Sequence, residues 1–277
     1  MSFAALLETL NSVIWSPALV FLCLAVGVYF TLTTLFLQVR CLPDMMRQIV
    51  SNKKSGSGVS SFESLMISLA GRVGVGNIAG VATAIAFGGP GAVFWMWAVA
   101  LLGSATSFIE CTLAQIYKEK DRDTGEYRGG PAYYIEKAYK HTRAGKFMLV
   151  YAVVFAVAMM LATSYFLPGI QANGVAAAMH NVWGTDVRIS AVVLGILLAV
   201  IIMGGVRRIA NFASLVVPLM AVVYILASIV IMFVNFDRID DVFSLIFRSA
   251  FDQEAMFSGM LGAAIMWGVK RGIYSNE

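Results

Sequence analysis

The sequence has little charge and few of the residues that build catalytic or metal sites. Asp, Glu, Lys and Arg together make up 13% of its 277 residues, about half of the roughly 25% that is usual for soluble domains. Its three cysteines and two histidines are far apart, which argues against a disulfide framework, a metal centre or a nucleophile–base pair. The net charge of +4 gives no reason to expect a nucleic-acid partner. The sequence is therefore not expected to be an enzyme.

Long apolar runs take the place of the missing charge. Hydrophobic residues make up 59% of the chain, and the mean hydropathy is +0.79. Several runs exceed the about 18 residues that a helix needs to cross a bilayer. The sequence therefore predicts an all-α polytopic membrane protein, with spans near residues 13–37, 60–87, 91–117, 147–180, 187–204, 211–234 and 254–276.

Basic residues are concentrated in the connections after the first, third and fifth predicted spans. Segment 118–146 alone contains eight lysines and arginines, whereas the connections at 88–90, 181–186 and 235–253 contain only Arg238 and Arg248. Because basic loops stay in the cytoplasm, we expect a multi-pass protein of the cell inner (plasma) membrane, with its N-terminus outside and segment 118–146 in the cytoplasm.

The weakest helix-forming segment lies in the middle of the second predicted span. Residues 71–80, GRVGVGNIAG, contain four glycines, one arginine and one asparagine, and a glycine costs a helix interior about 1 kcal/mol relative to alanine. Unwound backbone survives in a bilayer only where it is buried in protein or lines a wet cavity, and there it can hold a carboxylate and a cation. The segment predicts a binding site; close helix packing through Gly76 and Gly80 is the alternative.

Two other spans also contain helix-breaking residues. The segment GVKRGIYSNE, residues 268–277, again places glycines and charges in an apolar run. It lies five spans after the first break and in the opposite orientation, a pattern typical of an inverted repeat. The fourth span is too long for one crossing and contains Pro168 and Gly169, so we expect it to bend or to continue beyond the bilayer.

Residues 71–117, GRVGVGNIAGVATAIAFGGPGAVFWMWAVALLGSATSFIECTLAQIY, and 123–139, DTGEYRGGPAYYIEKAY, closely resemble the alanine or glycine:cation symporter family. This family of secondary transporters is related to the amino acid–polyamine–organocation superfamily. The resemblance implies a LeuT-like inverted-repeat fold of five plus five helices after an extra N-terminal helix. It also implies secondary active symport of a small neutral amino acid, alanine or glycine, with Na⁺ or less often H⁺, and no further cofactor.

The resemblance also implies a division of the chain. Residues 1–59 would form the extra N-terminal helix and a cytoplasmic linker, residues 60–253 the first five-helix repeat with its loop 118–146, and residues 254–277 the start of the second repeat. The family pattern continues beyond this point, so we expect an incomplete fold, an N-terminal portion that does not transport on its own. Alternatives are a non-transporting membrane fragment, an ion channel or another membrane-embedded binding protein.

Candidate site residues come from the helix breaks and from the resemblance. For the substrate they are Gly74, Gly76, Asn77, Ile78, Ala79, Gly80, Gln171, Ser275 and Asn276. Asn77 and Gly74 are also candidate Na⁺ ligands, because an amide oxygen and a free carbonyl can both coordinate a cation; a purely structural hydrogen bond is the alternative for Asn77. Arg72 and Glu110 are interpreted as gating or structural residues, with Glu110 paired to a base rather than acting as a proton relay.

Overall fold

The structure, a computed structural model, describes residues 3–51, 59–123, 125, 127–251 and 260–275. The order of helices in these ranges is α1 (Phe3–Ile14), α2 (Pro17–Thr33), α3 (Leu37–Arg40), α4 (Leu42–Ser51), α5 (Ser61–Arg72), α6 (Val75–Gly88), α7 (Gly91–Tyr117), α8 (Pro131–Tyr139), α9 (Gly145–Leu161), α10 (Leu167–Trp183), α11 (Val187–Ile202), α12 (Gly205–Val234), α13 (Ile239–Phe251) and α14 (Met260–Ser275). A short antiparallel hairpin of β1 (Glu119–Lys120) and β2 (Tyr127–Arg128) pairs Glu119 with Arg128.

Helical stretches long and apolar enough to cross a membrane confirm the polytopic all-α class. Within the described residues there are five: Asn11–Thr33, Ser61–Gly88, Gly91–Tyr117, Gly145–Trp183 and Arg208–Val234. The fifth predicted span corresponds to α11, a shorter apolar helix. The seventh corresponds to α14, although part of its predicted range, 254–276, lies outside the described residues.

The fourth predicted span, which we expect to bend or to continue beyond the bilayer, is helical before and after its proline. A π-helical turn, Ala162–Phe166, joins α9 to α10, and Pro168 lies in the first turn of α10. A proline lacks the N–H for the usual helical bond, and its ring collides with the carbonyl four residues earlier. A π turn widens the helix locally, which accommodates the proline without ending the helix.

The chain divides into two compact units, each described by itself. The first comprises Met1–Asp44, Gly71–Ser107 and Met220–Glu277, and the second comprises Met45–Ala70 and Phe108–Leu219.

Small residues bring the helices of the first unit together. Val20 of α2, Val99 of α7 and Val269 of α14 form one buried cluster. A second buried cluster joins α6 to α7 through Ala84, Ala92 and Met96. Helices in a bilayer associate through close packing of small side chains, and Ala84 and Ala92 of the second cluster follow that rule.

The second unit joins the basic segment 118–146 to further apolar helices. Helix α8 packs against α9, and α10 packs against α11. Met66 of α5 is buried with Ala213 and Val217 of α12.

Helix α13 corrects the prediction of a plain connection at 235–253. Asp240 and Asp241 lie in its first turn and Arg248 in its last turn, where they complement the helix dipole. Its apolar side places the ring of Phe251 4.7 Å from that of Phe94 on α7. A helix this short, with charges at both ends, gives no spanning signal in hydropathy, which is why the sequence did not indicate it.

Candidate substrate and ion site

The break in the second span is real but short. Helix α5 ends at Arg72 and α6 begins at Val75, so only Val73 and Gly74 lie outside both helices. The rest of the predicted unwound segment is helical: Gly71 and Arg72 end α5, whereas Gly76, Asn77, Ile78, Ala79 and Gly80 lie in the first turns of α6. In a helix the backbone N–H and C=O groups hydrogen-bond to one another, whereas a bilayer offers them no partners. This gain outweighs the low helix propensity of the glycines. Gly74 itself is extended, with φ −148°.

A reciprocal pair of hydrogen bonds fixes where α5 begins. The Ser60 backbone N–H donates to Glu63 Oε2 over 2.7 Å, and the Glu63 N–H donates to Ser60 Oγ over 3.2 Å. This is a capping box, in which a serine and the glutamate three residues later satisfy two helix-end donors. The Ser-x-x-Glu pattern was a sequence signal for this helix start, and the sequence analysis did not use it.

The side chain of Asn77 bridges the break. Its amide nitrogen donates to the backbone carbonyl of Arg72, at the end of α5. The backbone N–H groups of Asn77 and Ile78 donate to the carbonyl of Gly74, at 3.1 and 3.2 Å. The structural bond considered as the alternative for Asn77 is therefore present. The amide nitrogen makes that bond, and Oδ1 is the atom of the same amide that can coordinate a cation.

The backbone around the break carries opposite partial charges at two neighbouring helix ends. The last carbonyls of α5 carry negative partial charge, and the first N–H groups of α6 carry positive partial charge. Arg72, exposed in the last turn of α5, has the sign that suits a helix C-terminus. Such paired half-helix ends can hold a cation and a carboxylate next to each other.

The second predicted break is absent from the described part of α14. This helix runs without interruption from Met260 to Ser275, so Gly268 and Gly272 are not points of unwinding. A Cβ on Gly268 would lie 2.5 Å from the Ala92 carbonyl oxygen, and one on Gly272 would lie 2.8 Å from Val99 Cβ. These glycines allow close contact with α7. The Ser275 side chain and Asn276 lie outside the described residues.

Helices α6 and α14 nevertheless lie side by side in the first unit. The rings of Phe87 and Trp267 stack with centroids 5.0 Å apart. Along α14, Gly268 meets Ala92 and Gly272 meets Val99, so α14 runs parallel to α7. Since α6 and α7 form an antiparallel hairpin, α14 runs antiparallel to α6. This opposite direction is what an inverted repeat requires, and the repeat itself stays a prediction.

The remaining predicted residues belong to the second unit. Gln171 lies on α10 and is exposed, and Glu110 is exposed near the end of α7. Burial raises the pKa of the Tyr134 phenol on α8, and the nearby carboxylate of Glu110 raises that pKa further. The structure therefore places Glu110 beside a tyrosine of the 118–146 segment.

Lys137 is a structural residue that the sequence analysis counted only as a basic charge. Its Nζ donates to the Tyr117 carbonyl, at the end of α7, over 2.6 Å and lies 2.8 Å from Glu119 Oε1. It also lies 5.4 Å from the centre of the Tyr133 ring. The ammonium of Lys137 lowers the pKa of the Glu119 carboxyl below its usual range. Lys137 thus connects α7, the hairpin and α8.

The aromatic residues at the start of α7 pack against one another and against α13. The Phe94 ring is 5.5 Å from that of Trp95, edge to face, and Trp95 also contacts Phe251 at 6.0 Å. Trp97 remains 46% exposed, with Phe243 at 6.2 Å. This aromatic cluster therefore packs α13 against the start of α7.

Comparison with known proteins places these features in a family. A family model described as the sodium:alanine symporter family matches residues 1–277. The chain belongs to the sodium:alanine symporter family. The sequence resemblance is thereby confirmed, and the family is one of transporters, not of enzymes.

Named relatives match nearly all of this chain. YrbD of Bacillus subtilis is 52% identical over 274 residues, which make up 99% of this chain and 55% of YrbD. A probable sodium/glutamine symporter of Bacillus subtilis, GlnT, is 44% identical over 96% of this chain and 54% of its own length. The sodium/alanine symporter AgcS of Methanococcus maripaludis is 42% identical over 100% of this chain and 61% of its own length. The chain spans about half the length of the curated relatives it matches.

Proposed function

We propose that this chain provides the α5–α6 part of the binding site in a Na⁺-coupled symporter of small neutral amino acids, alanine or glycine. One observation carries the proposal: within a family described as sodium:alanine symporters, a predicted span is interrupted at Val73 and Gly74, and the amide of Asn77 bridges the interruption. Interrupted helices at the middle of the membrane are where secondary transporters bind substrate and ion.

The ion is assigned to the carbonyl side of the break. Na⁺ prefers oxygen ligands, and the oxygens proposed to hold it are Asn77 Oδ1 and the Gly74 carbonyl, which also accepts the N–H groups of Asn77 and Ile78. The Asn77 nitrogen remains bonded to the Arg72 carbonyl, an arrangement that aims Oδ1 away from that carbonyl. A cation there would stabilise the hydrogen bond between Asn77 and Arg72, because it neutralises the negative partial charges on neighbouring oxygens, which otherwise repel one another.

The amino acid is assigned to the positive end of α6. Its carboxylate is attracted by the helix dipole, and the first turns of α6 offer small side chains that let a ligand approach the backbone. The residues proposed to line this substrate site are Gly74, Gly76, Asn77, Ile78, Ala79, Gly80, Gln171, Ser275 and Asn276. Arg72 and Glu110 are proposed to act in gating or in supporting the structure.

The mechanism we propose is alternating access about this break. Transport of that kind needs two related halves around one site, and the antiparallel α6 and α14 are compatible with it. The protein would lie in the plasma membrane, with its N-terminus outside and segment 118–146 in the cytoplasm. Na⁺ is the proposed coupling ion; H⁺ is the alternative, and glutamine is a second possible substrate because GlnT is named for it.

The test is uptake of labelled alanine into vesicles with imposed ion gradients. The chain is reconstituted alone, and also together with the part of YrbD that it does not match, supplied as a second chain. We expect saturable uptake driven by a Na⁺ gradient for the pair, with the chain alone measured as the comparison. A current that does not saturate with substrate would instead support an ion channel. Uptake driven only by a pH gradient would show that the coupling ion is H⁺ and not Na⁺.

A further inference from the structure

The chain makes an abrupt turn immediately after α2. Leu35 and Phe36 both adopt left-handed backbone conformations, with φ of 55° and 53°, which bulky side chains rarely do. The Phe36 N–H donates to the Thr31 carbonyl over 2.9 Å. The side-chain nitrogen of Gln38 donates to Thr31 Oγ1 over 2.9 Å and to the Leu101 carbonyl over 3.1 Å. These bonds end the α2 span at a fixed place.

Helix α4, which follows the turn, has one apolar side. Leu42, Met45, Met46 and Ile49 recur at the spacing of a single helix face, whereas Asp44, Arg47 and Gln48 occupy the other face. Met46 is 56% exposed and Leu42 54% exposed. Among the described residues, the apolar face thus leaves much of its surface uncovered, which a water-facing helix would avoid.

The position of α4 decides what covers this face. At 10 residues it is too short to cross a bilayer, yet it begins soon after a helix that does cross. Helix α2 also exposes large apolar side chains, with Phe21 at 68% and Leu32 at 55%, as a helix that crosses a bilayer does. Arg40 and Arg47 outweigh Asp44, which suits anionic lipid headgroups.

We propose that α4 lies in the plane of the membrane surface, with Leu42, Met45 and Met46 inserted at the boundary between headgroups and acyl chains. Short amphipathic helices with a charged face bind there. The helix would hold the end of α2 at a fixed depth, with the left-handed turn at Leu35 and Phe36 redirecting the chain from the span to the surface. The occupant of the apolar face is lipid, not a second protein surface.

Spin labels can measure the depth of each face. In a chain with Cys23, Cys41 and Cys111 changed to serine, one cysteine is introduced as Met46→Cys or as Gln48→Cys and labelled with a nitroxide. The protein is reconstituted in vesicles of phosphatidylethanolamine and phosphatidylglycerol. Collision rates are then measured with oxygen, which concentrates in lipid, and with a water-soluble nickel chelate. Phe21→Cys serves as the lipid-exposed reference.

We expect the ratio of oxygen to nickel collisions at position 46 to be several-fold higher than at position 48 and to approach that at position 21. A scan from Leu42 to Ser51 should alternate with the helical period. Equal nickel access at positions 46 and 48 would overturn the proposal by placing the helix in water. Low access of both reagents at position 46 would also overturn it, because a protein surface and not lipid would then cover the apolar face.

Discussion

The indole of Trp267 on α14 stacks on the ring of Phe87 at the end of α6, with 5.0 Å between centroids and 19° between planes. This contact joins the helix that follows the α5–α6 break to the helix that the sequence predicted as its counterpart. Beside it, a Cβ on Gly88 would lie 2.8 Å from Trp267 Cβ, so the backbone of α6 closely approaches α14.

Replacing both rings should reveal their direct coupling. We expect Phe87→Ala and Trp267→Ala each to destabilise the protein, and the double variant to lose less than the sum of the two. Offset aromatic pairs typically contribute about 0.5–1.5 kcal/mol beyond burial. The measurement is the free energy of unfolding in detergent micelles, determined for the unaltered protein, the two single variants and the double variant. Strict additivity would mean that the stacked pair makes no contribution of its own.

Substituting Gly268 tests the packing of α14 on α7. Gly268→Ala would place a methyl group 2.5 Å from the Ala92 carbonyl oxygen, and overpacking of this kind typically costs about 1–3 kcal/mol. Gly262→Ala in the same helix is the matched control, because a Cβ there meets nothing within 4 Å. Thermal unfolding should show a clear loss for the first variant and no loss for the second. Similar behaviour of both would contradict the role of Gly268 in close packing.

Lys137 should hold the 118–146 segment on the end of α7. Lys137→Met removes its hydrogen bond to Tyr117 and its ion pair with Glu119, so we expect faster hydrogen exchange and tryptic cleavage in the hairpin. Lys140→Met removes the same charge at a lysine that has a smaller effect on the pKa of Glu119 than Lys137 has, and it should leave the hairpin protected. Equal cleavage of the two variants would show that Lys137 acts only as a charge.

The Glu119–Lys137 pair should also respond to acid. Because the pKa of Glu119 is lowered in the folded protein, its contribution is present above the unfolded-state pKa and is lost as the pH falls through the lowered, folded-state pKa. The protection of the hairpin amides, after correction for the intrinsic slowing of exchange in acid, should therefore decrease at acidic pH in the native protein. In Glu119→Gln the same pH change should have a smaller effect. An identical acid response in both proteins would assign the effect to other groups.

The proposed orientation can be tested across α9 and α10. In a chain without native cysteines, Arg143→Cys and Trp183→Cys flank the helical stretch Gly145–Trp183, and both positions are exposed. We expect a membrane-impermeant maleimide to label position 183 in intact cells, and position 143 only after the membrane is opened. Labelling of both in intact cells would contradict a single crossing between them.

The sequence predicted the helices that length and hydropathy determine, and it predicted the position of the α5–α6 break. It overestimated the break because glycine content alone cannot distinguish unwinding from close packing. In sequence, Gly268 and Gly272 look like Gly74, because all three are glycines in an apolar run. Glycine is needed at positions 268 and 272 because Ala92 and Val99 of α7 approach the backbone there. That distinction depends on a neighbouring helix. The bond from Asn77 to Arg72 likewise depends on a turn of only two residues, which propensity does not resolve.

The site itself was predictable only in part. Asn77 lies next to the break, as expected, but its amide nitrogen bridges two helix ends. Gln171 was included through resemblance, and nothing in its local sequence fixes its distance from α6. Helix α13 was missed because its charges at Asp240, Asp241 and Arg248 suppress the hydropathy signal. Such amphipathic helices are recognised by what they contact more than by their composition.

The most direct test compares the Na⁺ dependence of alanine uptake between variants at Asn77, in the chain paired with the unmatched part of YrbD. Asn77→Ala removes both the bridge and the proposed Na⁺ ligand, whereas Asn77→Asp keeps an oxygen but loses the donor to the Arg72 carbonyl. Thr83→Ala is the control, since Thr83 Oγ1 donates only to Ala79 one turn away. All three variants should still insert in the membrane.

Losing a hydrogen bond or ligand contact to a charged group costs about 1.5–3 kcal/mol, so Asn77→Ala should raise the Na⁺ concentration for half-maximal uptake by about 10-fold to 100-fold. Asn77→Asp should retain more of the Na⁺ response than Asn77→Ala, and Thr83→Ala should match the unaltered protein. If Asn77→Ala transports alanine with unchanged Na⁺ dependence, Asn77 serves only to bridge α5 and α6, and the proposed ion site is wrong.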